Sequence, residues 1–138
     1  MAVASTAGVA ALAPAAADAA TSCSSVTTPT LLRGCSLYDN QFILSAPEEN
    51  YNLLMRPDGN LVEYRARACW SSRTSGAGNY ATYTQLGSLV VYNNRGVPLW
   101  SSNTNGGGTT VSINDLGGAL YVGTTKIFGG SCAPGNPV

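Results

Sequence analysis

Residues 55–64 read MRPDGNLVEY, and every second one carries a group that can hold a hydroxyl. Arg56 is a cation, Asp58 a carboxylate, Asn60 an amide, Val62 a small apolar surface and Tyr64 a phenol. In an extended strand, alternate side chains share one face, so all five would project together. Asp58 accepts hydrogen bonds, Asn60 and Tyr64 both donate and accept, and Arg56 only donates. Val62 can lie beneath a patch of C–H groups. Such a row grips a polyhydroxylated ligand without breaking bonds. Pro57-Asp58-Gly59-Asn60 is equally a turn signal, with Leu61-Val62 opening the next strand. Both readings stand at this level, and the strand face is the one we carry forward.

Chemistry beyond binding has little support. Glycoside cleavage asks for two facing carboxylates. Alternation turns Glu63 away from Asp58, and Glu48-Glu49 sit in a polar loop where solvated acids are ordinary. Histidine is absent, which removes Ser-His and Cys-His pairs. With no Cys-x-x-Cys either, a zinc site has no basis. The expectation is a protein that is not an enzyme and uses no cofactor and no metal.

The elements that must position this row repeat along the chain. Trp70-Ser71-Ser72-Arg73-Thr74-Ser75-Gly76 is echoed by Trp100-Ser101-Ser102-Asn103-Thr104-Asn105-Gly106. Leu61-Val62-Glu63-Tyr64 is echoed by Leu89-Val90-Val91-Tyr92, and a worn copy follows at Ala119-Leu120-Tyr121-Val122 and Ile127-Phe128. Three units result, near residues 31–76, 77–106 and 107–130. Each reads as short strands joined by Gly- and Asn-rich turns, including a hairpin at Asn93-Asn94-Arg95-Gly96. No segment sustains a helical period. One such unit cannot bury its apolar face alone, so three must pack about a shared axis. Trp70, Trp100 and Phe128 occupy equivalent places and are expected to fill that core.

The row in residues 55–64 resembles the sugar site of the bulb-type (monocot-type) mannose-binding lectins, Q-x-D-x-N-x-V-x-Y. Asp58, Asn60, Val62 and Tyr64 match, and Arg56 stands where Gln belongs. The resemblance runs from about Leu31 to Phe128 and suggests a secreted, bacterial-like member. It implies an all-β fold: a β-prism of three antiparallel sheets with pseudo-threefold internal repeats. It also implies mannose recognition, with Asp and Asn on the 2-hydroxyl, Tyr on the 4-hydroxyl and the Gln position on the 3-hydroxyl. Dimers by exchange of the C-terminal strand near residues 125–130 are the family's usual route to valency.

The three candidate sites are unequal. The second presents Thr84, Leu86, Ser88, Val90 and Tyr92, and the third Asn114, Leu116, Gly118, Leu120 and Val122. Neither keeps a carboxylate at the Asp58 place. One working site and two remnants are expected, the second being a degenerate copy at Thr84, Ser88, Val90 and Tyr92. The alternative is a protein-interaction or bacteriocin-like module that uses the apolar replacements.

Length and charge agree with this reading. The 138 residues fit one domain, and seven basic against seven acidic residues give no net charge. No basic excess over the whole chain argues for nucleic acid, and no apolar run argues for membrane insertion. Residues 1–19 are small and apolar and end in Ala17-Asp18-Ala19, the small-x-small pattern of a secretory cleavage site. The expectation is a signal peptide over 1–19, its basic start missing, and a lectin domain over 20–138 in an extracellular setting. Four cysteines, Cys23, Cys35, Cys69 and Cys132, then allow three pairings. The expected pairs are Cys23–Cys132, joining the ends, and Cys35–Cys69, closing the first unit.

Overall fold

The structure is a computed structural model that describes Cys23 and residues 30–130. The chain first lays down three short strands, β1 (Thr30–Leu32), β2 (Ser36–Leu37) and β3 (Phe42–Leu44). Three hairpin-linked triplets follow. The first is β4 (Asn52–Met55), β5 (Leu61–Tyr64) and β6 (Ala68–Ser71); the second is β7 (Tyr80–Tyr83), β8 (Leu89–Tyr92) and β9 (Pro98–Ser101). The third is β10 (Thr110–Ile113), β11 (Leu120–Val122) and β12 (Thr125–Phe128).

Each triplet takes its fourth strand from the opening segment. The sheet orders are β3-β4-β5-β6, β2-β7-β8-β9 and β1-β10-β11-β12, all antiparallel. This is the expected all-β prism with threefold repetition. The unit boundaries differ from expectation, because β1 and β2 belong to the third and second sheets rather than to the first. The physical reason is the edge: a three-stranded hairpin sheet leaves unpaired backbone on its first strand, and the borrowed strand covers it. The loan also ties all three sheets to one stretch of chain.

Alternation builds the core. Leu53 and Met55 on β4 and Leu61 on β5 point inward, as do Tyr83, Leu89 and Val91 in the second sheet and Val111, Leu120 and Val122 in the third. Trp70 and Trp100 meet edge to face with ring centroids 5.2 Å apart. They and Phe128 are only partly buried and pack against this aliphatic centre. The axis is therefore filled by Leu, Val, Ile and Tyr83, and the indoles close its flank.

One inward residue breaks the pattern. Glu63 is fully buried, and neither carboxylate oxygen has a hydrogen-bond partner among the described residues. Its register partner is Leu53, and the equivalent positions in the other sheets are Val91 and Val122. Burial alone pushes its carboxyl up to about 8. It is therefore a neutral acid at physiological pH, because an ion would lose its hydration with nothing in return.

The disulfide expectation is corrected. Cys35, in the turn between β1 and β2, is bonded to Cys23, with Cα atoms 5.4 Å apart. The two cysteines are only 12 positions apart in sequence. Cys69 on β6 is also disulfide-bonded, which excludes the Cys35–Cys69 pair. Cys132, and the segment 1–19 expected to be a signal peptide, lie outside the described residues.

Candidate functional site

The row at 56–64 is half turn and half strand. Gly59 N–H donates to Arg56 O at 2.9 Å and Arg56 N–H to Asn60 O at 2.9 Å, closing a tight turn between β4 and β5. Only Val62 and Tyr64 stand on the strand itself. The turn reading of Pro57-Asp58-Gly59-Asn60 is thus the correct one for the first three positions. Gly59 sits at φ 93°, and a Cβ there would meet Gly76 O at 2.3 Å, so only glycine fits.

The turn still brings the predicted side chains together. The Arg56 guanidinium donates to the Tyr64 hydroxyl at 2.9 Å and to Asp58 Oδ2 at 2.5 Å. Asp58 Oδ1 accepts from Asn60 N–H at 3.1 Å. Asp58 is half exposed, with 53% of its side chain accessible, and Arg56 shows 39%. Val62 is buried beneath the cluster. An ion pair between Arg56 and Asp58 is the geometry expected from two residues on one face, and it forms across the turn.

A second layer was missed in the sequence as site structure, although its motif was visible. Asn60 Oδ1 accepts from the Ser71 hydroxyl at 3.0 Å, the Ser72 hydroxyl at 3.2 Å and Thr74 N–H at 3.3 Å. Thr74 Oγ1 donates to Gly59 O at 2.6 Å, and Leu61 N–H donates to Ser72 Oγ at 3.1 Å. The repeated W-S-S-x-T is therefore the brace of the turn. Its hydroxyls satisfy backbone groups that the turn would otherwise bury unpaired.

The remnant turns use the same frame with other tips. In the second, Thr84 N–H donates to Ser88 O at 2.8 Å and Gly87 N–H to Thr84 O at 3.0 Å. Leu89 N–H donates to Ser102 Oγ at 2.9 Å, and Thr104 Oγ1 donates to Gly87 O at 2.6 Å. Leu86 stands 79% exposed where Asp58 would be, and the Ser88 hydroxyl donates inward to Thr104 O. Val90 lies buried under this turn, and Tyr92 stacks on Tyr80 at 5.5 Å, whereas Tyr64 accepts from a guanidinium.

The third turn corrects the expected register. Asn114 N–H donates to Ala119 O at 3.0 Å, so this turn is one residue longer than the others. Ala119, not Gly118, takes the Asn60 place. Leu120 and Val122 consequently face the core, and Tyr121 faces outward. A slip of one residue exchanges the faces of the strand that follows. Leu116, at the tip, is 86% exposed. The carboxylate next to it, Asp115, accepts from the Ser45 hydroxyl and from Glu48 N–H at 2.5 Å. The Ser45 hydrogen bond leads in holding Asp115 below its ordinary range.

Glu63 lies on the opposite face of β5 from Val62 and Tyr64 and is buried, as alternation required. Glu48 and Glu49 are exposed in the loop before β4. No cluster suited to a metal ion occurs among the described residues.

The three-sheet prism is the fold of lectins among solved structures, and comparison with them gives the class. The lectin of Polygonatum cyrtonema, complexed with a monomannoside, has 30% sequence identity over 57% of this chain and 73% of its own, with a TM-score of 0.52. The mannose-specific agglutinin of snowdrop (Galanthus nivalis), complexed with methyl-α-D-mannoside, has 28% identity over 80% of this chain and 98% of its own, with a TM-score of 0.58. Monomeric mannose-binding lectins from Gastrodia elata match at 27% identity over 72% of this chain and 94% of theirs, with a TM-score of 0.57. No family model matches the chain, and no curated protein matches it. The chain belongs to the fold family of the monocot bulb-type mannose-binding lectins.

Proposed function

We propose that this chain is a secreted, non-enzymatic lectin that binds mannose or mannose-containing glycans at the β4–β5 turn. One observation carries the reading: of the three equivalent turns, only this one holds a carboxylate, an amide and a phenol together. Asp58 and Asn60 would take the axial 2-hydroxyl, Tyr64 the 4-hydroxyl, Arg56 the 3-hydroxyl, and Val62 would underlie the ring. Each hydrogen bond contributes about 0.5–1.5 kcal/mol net. After the cost of immobilising a sugar, affinity falls near about 1 mM, or roughly −4 kcal/mol. Useful retention then requires several linked sites. With one site per chain, a homodimer would supply the valency, although β12 here pairs within its own sheet.

A second reading rests on Leu86 and Leu116, large apolar side chains exposed at the two remnant tips. It makes the chain a protein-interaction or bacteriocin-like module with weakened sugar binding. Chromatography on mannose resin separates the two. Elution by free mannose supports the lectin, whereas passage through the column together with retention of sugar-indifferent protein partners supports the module.

A further inference from the structure

The site as built is unbalanced toward donors, and its surroundings are unbalanced toward positive charge. Asn60 Oδ1 is saturated by Ser71, Ser72 and Thr74. A planar amide then directs its Nδ2 donors away from those three partners. Asp58 has already given one position to Arg56 and one to Asn60 N–H. The Tyr64 oxygen accepts from Arg56 and keeps its own O–H to donate. Two of the five guanidinium N–H groups of Arg56 are engaged there, so most of the fork remains for a ligand. What faces an incoming sugar is mainly N–H and O–H.

The charges point the same way. Four of the seven cationic side chains, Arg56, Arg65, Arg67 and Arg73, fall between positions 56 and 73, where the acids are only Asp58 and the buried, neutral Glu63. The remainder of the chain holds three cations against five acids. The neutral total therefore hides a positive stretch, positions 56–73. Arg73 sits within the site's brace, between Ser72 and Thr74, and its N–H donates to the Ser71 Oγ that in turn donates to Asn60. Arg65 lies at the far end of β5, over the Tyr51 ring at 5.3 Å. Its guanidinium is therefore turned to the Glu63 face of the sheet, and Arg56 and the exposed Arg73 are the cations beside the row.

We propose that this site selects an anionic hexose, a mannose-type ring bearing a carboxylate or a phosphate, over the neutral sugar. The inference rests on the lectin reading above and names its ligand class. The Arg56 fork matches two anionic oxygens in one plane, which a lone hydroxyl cannot use. The exposed Arg73 extends the same preference at the Asn60 end of the row.

The test is amide-resolved NMR titration of the full chain with three probes of one ring stereochemistry: methyl α-mannoside, its 6-phosphate, and the methyl mannuronoside. At low salt, both anions are expected to shift the Gly59, Asn60 and Tyr64 amides at about one-fifth the concentration the neutral sugar needs, as for one added charge contact at an exposed site. The advantage should shrink at high salt and vanish in Arg56→Gln. The stronger of the two anions identifies the charged group. Equal or tighter binding of the neutral mannoside overturns the inference and leaves the lectin reading standing. If none of the probes moves these amides, both fall.

Discussion

The first and second hairpin turns share a skeleton and differ in purpose. Ser72 and Thr74 brace one, and Ser102 and Thr104 brace the other, with Oγ–Oγ1 separations of 2.9 Å in each. Thr74 and Thr104 reach the glycine carbonyl at the same 2.6 Å. At the tips everything changes: Arg56, Asp58 and Asn60 face Thr84, Leu86 and Ser88. The difference teaches which residues belong to folding and which to binding. Buried hydroxyls cannot be exchanged without orphaning a backbone group. The exposed tip positions, Asp58 and Leu86, carry little of the fold and are free to specialise, whereas Asn60 serves both tip and brace.

The largest expected effect breaks the comparison at its tip. Asp58→Ala should remove detectable mannoside binding, at least about tenfold in affinity, while stability stays within about 0.5 kcal/mol, since the residue is half exposed. Asn60→Ala should remove binding and also destabilise by about 1–3 kcal/mol, because Ser71, Ser72 and Thr74 all lose their acceptor. Ser88→Ala should cost less, its hydroxyl serving one carbonyl. Calorimetry and urea denaturation of the three variants check this ordering. Binding that survives in Asp58→Ala would discard the proposed site.

Glu63 offers the next contrast, against Val91 and Val122 at the same station of the other sheets. Its folded pKa, about 8, lies above the ordinary carboxyl value of 4.5. Between those values the unfolded chain is ionised and the folded one is not, so folding takes up a proton. Stability should therefore fall as pH rises from about 4.5 to about 8, on the order of 1 kcal/mol per pH unit, and then level off. Glu63→Val should flatten the profile and stabilise the protein at pH 7 by about 1–3 kcal/mol, net of a small cavity. Denaturation midpoints across pH 4–9 decide it. A wild-type profile that is flat over this window would mean that the carboxyl is solvated.

These contrasts also show what could be read in the chain before its fold. Three units about a shared axis were legible because W-S-S-x-T and the L-V-x-Y strands recur, the prism itself came from the resemblance, and the turn of Glu63 away from Asp58 followed from alternation. The tight turn at 56–60 was not separable from a strand, because Asp58, Asn60 and Gly59 satisfy both patterns and only the brace from Ser72 and Thr74 decides. The third register failed for a related reason: Asn114 to Leu120 holds one more residue than its counterparts, and parity of spacing is lost with a single insertion. The Cys23–Cys35 pairing depended on where β1 and β2 are lent, which no local pattern encodes. The run of cations between positions 56 and 73 was hidden inside a net charge of zero.

A gain of function sharpens the first comparison. Thr84→Gln, Leu86→Asp and Ser88→Asn together should write a working tip onto the second brace. The expected result is a stoichiometry of two mannosides per chain, the new site near about 1 mM. A folded triple variant that still binds a single sugar would show that Ser102 and Thr104 do not present the tip as Ser72 and Thr74 do.

The smallest expected effect concerns the third turn, whose carboxylate serves the fold rather than a ligand. Asp115 gathers the Ser45 hydroxyl, Glu48 N–H and, more loosely at 3.4 Å, Asn50 N–H. It sits beside the Asp58-like position rather than in it, so it faces the 45–50 loop and not the outer surface. Its pKa is held below 3.8, chiefly by the Ser45 hydroxyl. A depressed carboxyl contributes stability that is present above its unfolded value and is lost as pH falls through the lower folded one. Asp115→Asn keeps one acceptor oxygen and replaces the other with donors, so it cannot accept from both Ser45 and Glu48 as the two carboxylate oxygens do. Amide exchange at Glu48 and Asn50 should quicken several-fold at pH 7, with sugar binding at the distant first turn unchanged. In the wild type the same amides should lose protection only in acid, below the usual carboxylate range. Unaltered exchange in the variant would assign the order of this loop to its backbone bond between Ser45 N–H and Tyr51 O, at 2.8 Å, and remove Asp115 from any structural role.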